Sequence, residues 1–174
     1  MHALSDLPAD IHAPILGSRL LRWDDEAACA AYAATLAAHP ALAEAYVELH
    51  GPLGAGKTTF VRHLLRALGV TGRVKSPTYA VLESYGLPGS ATLATLDTLA
   101  ISHFDFYRFT DPREWTDAGF RDLFASPGLK LAEWPEHAAG VLPVADLRLF
   151  IEPQPDDSRM VRAEAGTPRG LELL

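Results

Sequence analysis

The chain is poor in the residues that mark several classes of protein. Among its 174 residues there is one cysteine, Cys29, and the three lysines are Lys57, Lys75 and Lys130. A single cysteine excludes an intramolecular disulfide and a cysteine-rich zinc cluster, and its alanine-rich surroundings indicate a buried structural thiol. No stretch approaches 18 consecutive apolar residues, so no membrane-spanning helix is expected. The first residues also lack a basic segment followed by an apolar run, so we expect a cytoplasmic protein.

An excess of positive charge is also missing. The formal net charge is −7 and the isoelectric point is about 5.4. A general nucleic-acid binder needs a basic face that neutralises phosphates, so direct binding to nucleic acid is disfavoured. The negative charge does not exclude a role in a complex whose other members bind the nucleic acid. The length predicts one domain. Pro8, Pro14 and Gly17 indicate a loose lead-in over residues 1–18, which leaves residues 19–174 for the domain.

Glycine, lysine and threonine are concentrated in one short segment. "HGPLGAGKTTF", residues 50–60, matches the P-loop pattern G-x-x-x-x-G-K-[ST]. The pattern needs a strand before it and a helix after it. "YVELH" precedes it with strand alternation, and the segment from Lys57 to Leu68 carries apolar residues at helical spacing with Gly69 at the C-cap position. A glycine-rich turn that only caps a helix is the alternative, but such a turn has no need of the Lys-Thr pair.

This segment predicts a phosphate site. Glycines let main-chain N–H groups turn inward around phosphate oxygens, and a helix N-terminus favours negative charge. We expect Lys57 to reach the β- and γ-phosphates and Thr58 to place its hydroxyl on Mg²⁺. Thr59 is expected on the α-phosphate side.

Hydrolysis of a nucleotide needs a further acidic residue, and two are candidates. Asp105 lies between aromatic residues in "SHFDFYR", and Glu133 follows "GLKLA" at the expected carboxyl end of a strand. Such strand ends converge on the nucleotide in open α/β sheets. Either acid can orient the Mg²⁺ shell or polarise a water, and a surface carboxylate at a strand end is the alternative for each. Histidines 50, 63 and 103 show no metal-ligand spacing and are expected to be structural or exposed.

A threonine in the loop "KSPTY" is a candidate sensor of the γ-phosphate. Pro77 biases Ser76 toward an extended conformation, so that Thr78 is presented from a defined position. Switch-loop residues act in this way in other phosphate-hydrolysing proteins. A threonine that only makes a local hydrogen bond at a strand start is the alternative.

The element pattern predicts an α/β domain of the P-loop NTPase type, with three layers and a mixed parallel and antiparallel sheet. Strands outnumber helices after the P-loop helix. The expected elements are a helix over Trp23–Ala38, a strand over Tyr79–Tyr85, a strand ending near Asp105–Arg108, a short helical segment in "TDPREWTDAGFRDLFASPG", a strand in "LKLAEW", and two final strands in "LPVADLRLFIE" and "SRMVRAEA".

Four segments in this order resemble the TsaE family, formerly YjeE. They are "HGPLGAGKTTFVRHLLRALG", "GRVKSPTY", "HFDFYRF" with the following "DPREW", and "LAEWPEHAAGVLP". The resemblance covers roughly residues 21–165. It implies a P-loop fold with a mixed sheet, binding of ATP and Mg²⁺, slow ATP hydrolysis, and action with TsaD and TsaB in threonylcarbamoyladenosine modification of tRNA. The resemblance thus implies that the chain interacts with tRNA only indirectly, through that complex.

The resemblance also implies roles for single residues. Six residues would hold the phosphates: Gly54, Ala55, Gly56, Lys57, Thr58 and Thr59. Thr58 and Glu133 would ligate Mg²⁺, while turnover would depend on Asp105 and Thr78 together with Lys57. Trp134 completes the Glu-Trp pair of the family and Arg159 matches its late arginine, so both are assigned to the nucleotide. From the residue alone, simple packing is the alternative for Trp134. An acidic residue that opens the first helix matches Asp25 or Glu26.

Two other functions stay open from the residues alone. A P-loop kinase acting on a small molecule would need an arginine-rich lid, for which Arg159, Arg162 and Arg169 near the C-terminus are available. A nucleotide-gated binding module without turnover is the other. A GTPase is disfavoured because the chain contains no [NT]-K-x-D segment to read guanine.

Overall fold

The computed structural model describes residues 14–88, 98–111 and 113–174. Most of the expected lead-in, residues 1–13, lies outside these ranges, as does Pro112 in the segment "TDPREWTDAGFRDLFASPG" that was expected to be helical. The elements in chain order are β1 (Gly17–Trp23), α1 (Glu26–Ala37), β2 (Tyr46–His50), α2 (Lys57–Leu68), β3 (Leu82–Pro88), β4 (Thr98–Asp105), α3 (Arg113–Asp117), α4 (Phe120–Ala125), β5 (Leu129–Glu133), β6 (Leu147–Pro153), β7 (Arg159–Ala165) and α5 (Pro168–Leu173).

All seven of these strands form one sheet in the order β1-β7-β6-β2-β5-β4-β3. The four central strands, β6, β2, β5 and β4, are parallel to one another. Antiparallel strands extend this core at both edges: β7 and then β1 beside β6, and β3 beside β4. The expected mixed sheet, a parallel core with antiparallel hairpins added, is confirmed.

Two apolar cores lie on opposite faces of the sheet, which gives the expected three layers. One core packs Phe60, Leu64 and their neighbours on α2, together with α1, against Leu49, Leu131 and the other side chains on the same face. The second core lies under α3 and α4 and is mainly aromatic; its fully buried rings are Phe104 and Phe106. Side chains alternate between faces along a strand, so residues two apart on β4 or β5 share one core.

The P-loop helix has the bounds that the sequence predicted. α2 runs from Lys57 to Leu68, and Gly69 follows it with φ of 105° in the left-handed region. The Gly69 N–H donates to the Arg66 carbonyl oxygen. A glycine adopts this conformation without a Cβ penalty, which explains why the helix ends there.

The first helix begins three residues later than predicted. Trp23 belongs to β1, and Asp25 caps α1 because its Oδ1 accepts from the Ala28 N–H at 2.9 Å. The sequence pattern of this helix extends back to Trp23. Trp23 is nevertheless in a strand, because β1 pairs with β7 up to this residue. β1 begins at Gly17, inside the segment that was expected to be a lead-in.

Two further elements differ from the prediction. The strand expected over Tyr79–Tyr85 begins at Leu82, because Val81 has φ of 68° and cannot belong to a regular strand. The C-terminal helix α5 was not predicted, since Pro168 and Gly170 are poor helix formers. An N-cap and a tertiary contact hold it: Thr167 caps the helix by accepting from the Gly170 N–H at 3.1 Å, and its hydroxyl donates to Asp146.

A methyl group at Gly170 should therefore destabilise the fold, although alanine usually favours a helix. Its Cβ would lie 1.7 Å from the Asp146 carbonyl oxygen. We expect Gly170→Ala to lower the free energy of unfolding by about 3 kcal/mol, at the upper end of overpacking effects, measured by urea unfolding. Gly86→Ala is the control, because a Cβ there meets no described atom within 4 Å. Equal stability of the two variants would contradict the packing of α5.

Candidate functional site

The P-loop, residues 51–56, joins the carboxyl end of β2 to α2, and its glycines meet two different needs. A Cβ on Gly51 would lie 2.5 Å from the Ile151 carbonyl oxygen, so this glycine permits close approach to β6. Gly54 and Gly56 have φ of 78° and 105°, and a Cβ on either meets no described atom within 4 Å. These two are needed for the left-handed backbone conformation of the loop.

Lys57 is the first residue of α2, and its side chain is turned back onto the main chain of the loop. Its Nζ donates to the carbonyl oxygens of Gly51 and Pro52, the second at 3.0 Å, and lies 4.0 Å from the centroid of the Trp134 ring. A cation over an aromatic face is stabilised by the ring quadrupole. Trp134 holds left-handed φ of 55° directly after β5, and that turn brings its ring to the ammonium.

Burial lowers the pKa of the Lys57 ammonium. Nearby negative charges oppose this shift and favour the ammonium; they belong to Glu133, Glu136 and Asp105. The site therefore holds a buried ammonium near several carboxylates. An anionic ligand would add a further negative charge beside the ammonium and favour its charged form.

Thr58 and Glu133 join the P-loop helix to β5. The Thr58 hydroxyl donates to Glu133 Oε1 at 2.8 Å. Glu133 Oε2 lies 2.7 Å from Nε2 of His103 on β4. The carboxylate is 2 % exposed, and each of its oxygens has one hydrogen-bond partner. Sequence reasoning missed His103; the signal was its position two residues before Asp105, which places both on one face of β4.

Asp105 lies beside Glu133, because the two are register partners on adjacent strands. Its Oδ1 accepts from the Tyr107 N–H and its Oδ2 accepts from the Thr78 hydroxyl, both at 2.9 Å. Ser76 Oγ lies 2.8 Å from the Thr78 hydroxyl. The loop "KSPTY" thus reaches the acid at the end of β4, and the structure brings Thr78, Asp105, Glu133 and Thr58 to one edge of the sheet.

Two cavities of about 260 Å³ each meet at the P-loop. The first, which we call the phosphate cavity, is lined by residues 53–59 and by Thr78, Asp105, Tyr107, Glu133 and Trp134. The second, which we call the side cavity, is lined by Trp23, Asp25, Glu26, Cys29, Asp157 and Arg159. Ala55, Gly56 and Thr59 line both. One elongated ligand could therefore occupy both cavities across the P-loop.

Arg159 connects the side cavity to the P-loop. Its Nε donates to the Ala55 carbonyl oxygen at 2.9 Å.

The two acidic side chains at the start of α1 and the Cys29 thiol also line the side cavity. Of the two acids, Asp25 caps the helix and Glu26 lies 2.8 Å from His63 Nε2. Burial raises the pKa of the Cys29 thiol to about 12, so the thiol stays protonated, as expected of a structural cysteine.

The described part of the chain lacks two kinds of feature, a membrane-spanning helix and a cluster of metal-binding side chains. None of its helices has the length and apolar character that crossing a membrane requires.

Among the residues that the structure describes, no group of three His, Cys, Asp or Glu side chains is placed to hold a metal ion by itself. Magnesium characteristically binds to one or two protein oxygens and completes its shell with waters and phosphates. The hydroxyl and carboxylate oxygens of Thr58 and Glu133, 2.8 Å apart, fit that requirement.

Comparison with known proteins gives one consistent family. Residues 23–161 match the family described as threonylcarbamoyl adenosine biosynthesis protein TsaE. A tRNA threonylcarbamoyladenosine biosynthesis protein TsaE from Haemophilus influenzae is 41% identical over 128 residues, 74% of this chain and 75% of that protein. The TsaE of Bacillus subtilis is 34% identical over 113 residues, 65% of each chain. The crystal structure of YdiB from Bacillus subtilis superposes with a TM-score of 0.70 at 26% identity, covering 90% of this chain and 91% of that one.

The environment of Asp105 predicts a stability that depends on pH. Burial is the main cause that raises the pKa of this carboxyl, and the Tyr107 N–H partly opposes it. A carboxyl whose pKa is raised by folding ionises first in the unfolded chain, so stability is lost as the pH rises toward the folded pKa. Asp105→Asn keeps the acceptor for Tyr107 and removes the charge. In buffer without nucleotide or Mg²⁺, we expect the variant to exceed the wild type in free energy of unfolding at pH 7.

That gain should shrink as the pH falls below the usual range for aspartate, which urea unfolding at pH 7 and near pH 3 can measure. Asp122→Asn, at an exposed position on α4, controls for the loss of a negative charge. A wild type that is more stable than Asp105→Asn at neutral pH would show that the hydrogen bonds outweigh the desolvation of this acid.

Proposed function

We propose that this chain, which belongs to the TsaE family, binds ATP with Mg²⁺, hydrolyses it slowly, and acts with homologues of TsaD and TsaB. The family places it in threonylcarbamoyladenosine biosynthesis. The observation that carries the proposal is the hydrogen bond from Thr58 at the start of α2 to Glu133 at the end of β5. It joins a phosphate-binding loop to an acid at the point where a nucleotide-bound cation would lie.

The phosphates are assigned to the phosphate cavity. Main-chain N–H groups over Gly54–Thr59 and the N-terminus of α2 attract negative charge there. The Lys57 ammonium is buried beside the loop and held by carbonyl oxygens, which are weaker partners than phosphate oxygens. We therefore expect the ammonium to exchange the carbonyls of Gly51 and Pro52 for phosphate oxygens when the nucleotide binds.

The nucleoside is assigned to the side cavity. Ala55, Gly56 and Thr59 line both this cavity and the phosphate cavity, so a ligand whose phosphates lie on the P-loop can extend into it. Arg159 contributes a guanidinium to its wall and holds the Ala55 carbonyl. This geometry supports the assignment of Arg159 to nucleotide binding.

Asp105 and Thr78 are assigned to turnover. Bound Mg²⁺ supplies charge neutralisation at the phosphate oxygens, while the chain itself provides the groups that orient a water. Desolvation raises the pKa of Asp105, which makes this carboxylate a better proton acceptor. The Thr78 hydroxyl holds one of its oxygens, so the loop "KSPTY" controls the direction of the acid.

The open rim of the phosphate cavity supports slow turnover in the isolated chain and a role for partners. Leu53 and Tyr79 are 77% and 83% exposed, and Tyr107 is also exposed. Leu53 and Tyr107 line the phosphate cavity, and Tyr79 follows Thr78 in the chain. A partner that covers these apolar side chains would exclude bulk water from the acids. We infer that the TsaD and TsaB homologues complete the site in this way.

A small-molecule kinase receives less support from the geometry. No arginine is among the described residues that line the phosphate cavity. The Arg162 guanidinium lies over the Phe150 ring and Arg169 lies 3.5 Å from Asp146. These arginines are engaged elsewhere on the fold and do not form a lid.

Loss of the Lys57 ammonium should weaken binding of Mg²⁺-ATP. A charge-assisted hydrogen bond contributes about 1.5–3 kcal/mol, so Lys57→Ala should raise the dissociation constant about 10- to 150-fold, measured by calorimetry. Arg66→Ala removes an exposed cation near the far end of the same helix and should leave the constant unchanged. If Lys57→Ala titrates like the wild type, the phosphate site has been assigned to the wrong loop.

Partners should accelerate hydrolysis. We expect the ATPase rate to rise at least about tenfold, equivalent to about 1.4 kcal/mol of barrier, when purified TsaD and TsaB homologues are added. Asp105→Asn should join the same complex, detected by gel filtration, without the rise in rate. An ATPase rate that stays constant, with no association on the column, would remove the support for this partnership.

A further inference from the structure

We propose that His103 is a positioning residue, which fixes the Glu133 carboxylate toward Thr58 and thereby sets the Mg²⁺ dependence of nucleotide binding. The inference rests on the proposed function, because it concerns the same phosphate site. It adds a residue for which the sequence reading expected only a structural role or an exposed position.

The sheet register brings the imidazole to the acid. His103 pairs with Leu131 on β5, and Glu133 lies two residues further along that strand on the same face. His103 Nε2 is 2.7 Å from Glu133 Oε2, and Thr58 Oγ1 is 2.8 Å from Glu133 Oε1. The carboxylate is therefore gripped from both sides, by β4 through one oxygen and by α2 through the other.

The hydrogen-bond partners assign the proton. A carboxylate only accepts, so the ring nitrogen that faces Glu133 carries the hydrogen and donates. Nδ1 has no hydrogen-bond partner among the residues that the structure describes, which suits a bare lone pair better than an unpaired N–H. His103 Nε2 thus donates to Glu133 Oε2.

Simple packing does not account for a histidine at this place. Its ring is 0% exposed and lies on the face that carries Ile101 and Leu131 of the larger core. Burial of a polar ring with one unpaired nitrogen is unfavourable compared with an apolar side chain. The benefit lies in the contact to Glu133, because the last torsion of a glutamate is broad and needs an outside partner to fix it.

Loss of this donor should act on the cation more than on the nucleotide. Partners that orient a ligating carboxylate typically change metal affinity by about 10- to 100-fold when they are removed. Lys57 is hydrogen-bonded to Gly51 and Pro52, and His103 to Glu133, so binding of nucleotide without metal should persist.

The test compares two amides that differ in reach. The amide of His103→Gln can place an N–H near the position of Nε2, whereas that of His103→Asn is one methylene too short. Binding of a fluorescent ATP analogue is followed in EDTA and then as Mg²⁺ is added. We expect His103→Asn to raise the Mg²⁺ concentration for half-maximal effect about 10- to 100-fold, with the dissociation constant in EDTA unchanged. His103→Gln should stay within about threefold of the wild type.

Ile101→Ala is the structural control, since it removes a buried side chain on the same face of β4. It should lower the melting temperature while the Mg²⁺ response stays as in the wild type. A wild-type response in His103→Asn, an equal loss in His103→Gln, or an equal loss of binding in EDTA would each overturn the positioning role. A wild-type chain that binds the analogue without any response to Mg²⁺ would instead overturn the proposed function.

Discussion

Parallel pairing of β5 between β2 and β4 is the constraint on which the candidate site depends. The register sets Leu49, just before the P-loop, against Glu133, and sets Glu133 against Asp105. Segments far apart in the chain therefore end at the same level of the sheet. Because side chains alternate along a strand, a slip of one residue would turn Glu133 toward the aromatic core on the other face.

Burial of charged groups at this site lowers the stability of the fold. The same pairing places an ammonium, two carboxylates and an imidazole where the chain would otherwise bury apolar groups, as it does on either side of them. Each charge has a hydrogen-bond partner, which limits the loss without removing the desolvation of the charged forms. Such groups are kept where activity needs them, and stabilising replacements there tend to reduce function. The opposed shifts at Lys57 and Asp105, one pKa lowered and one raised mainly by burial, have this origin.

What the sequence predicts well is local. The bounds of α2 follow from glycine at its two ends and from helical spacing between them, and these do not depend on distant residues. The bounds of β1, the start of α1 and the whole of α5 depend on partners elsewhere in the chain: β7 for Trp23, and Asp146 for the segment around Gly170. His103 could not be assigned to Glu133 from the sequence, because its role requires the register of β4 on β5.

The antiparallel edge that was only partly predicted also builds half of the site. Trp23 and Arg159 are register partners at the ends of β1 and β7, and both line the side cavity. Trp23 stacks on Phe60 of α2 with ring centroids 5.7 Å apart, while Arg159 holds the Ala55 carbonyl. The β6-β7 hairpin and β1 thus brace the P-loop from the side opposite Glu133. A P-loop pattern indicates where phosphates bind, but the side cavity, to which the nucleoside is assigned, also needs the pairing of β1 with β7, two strands that are distant in sequence.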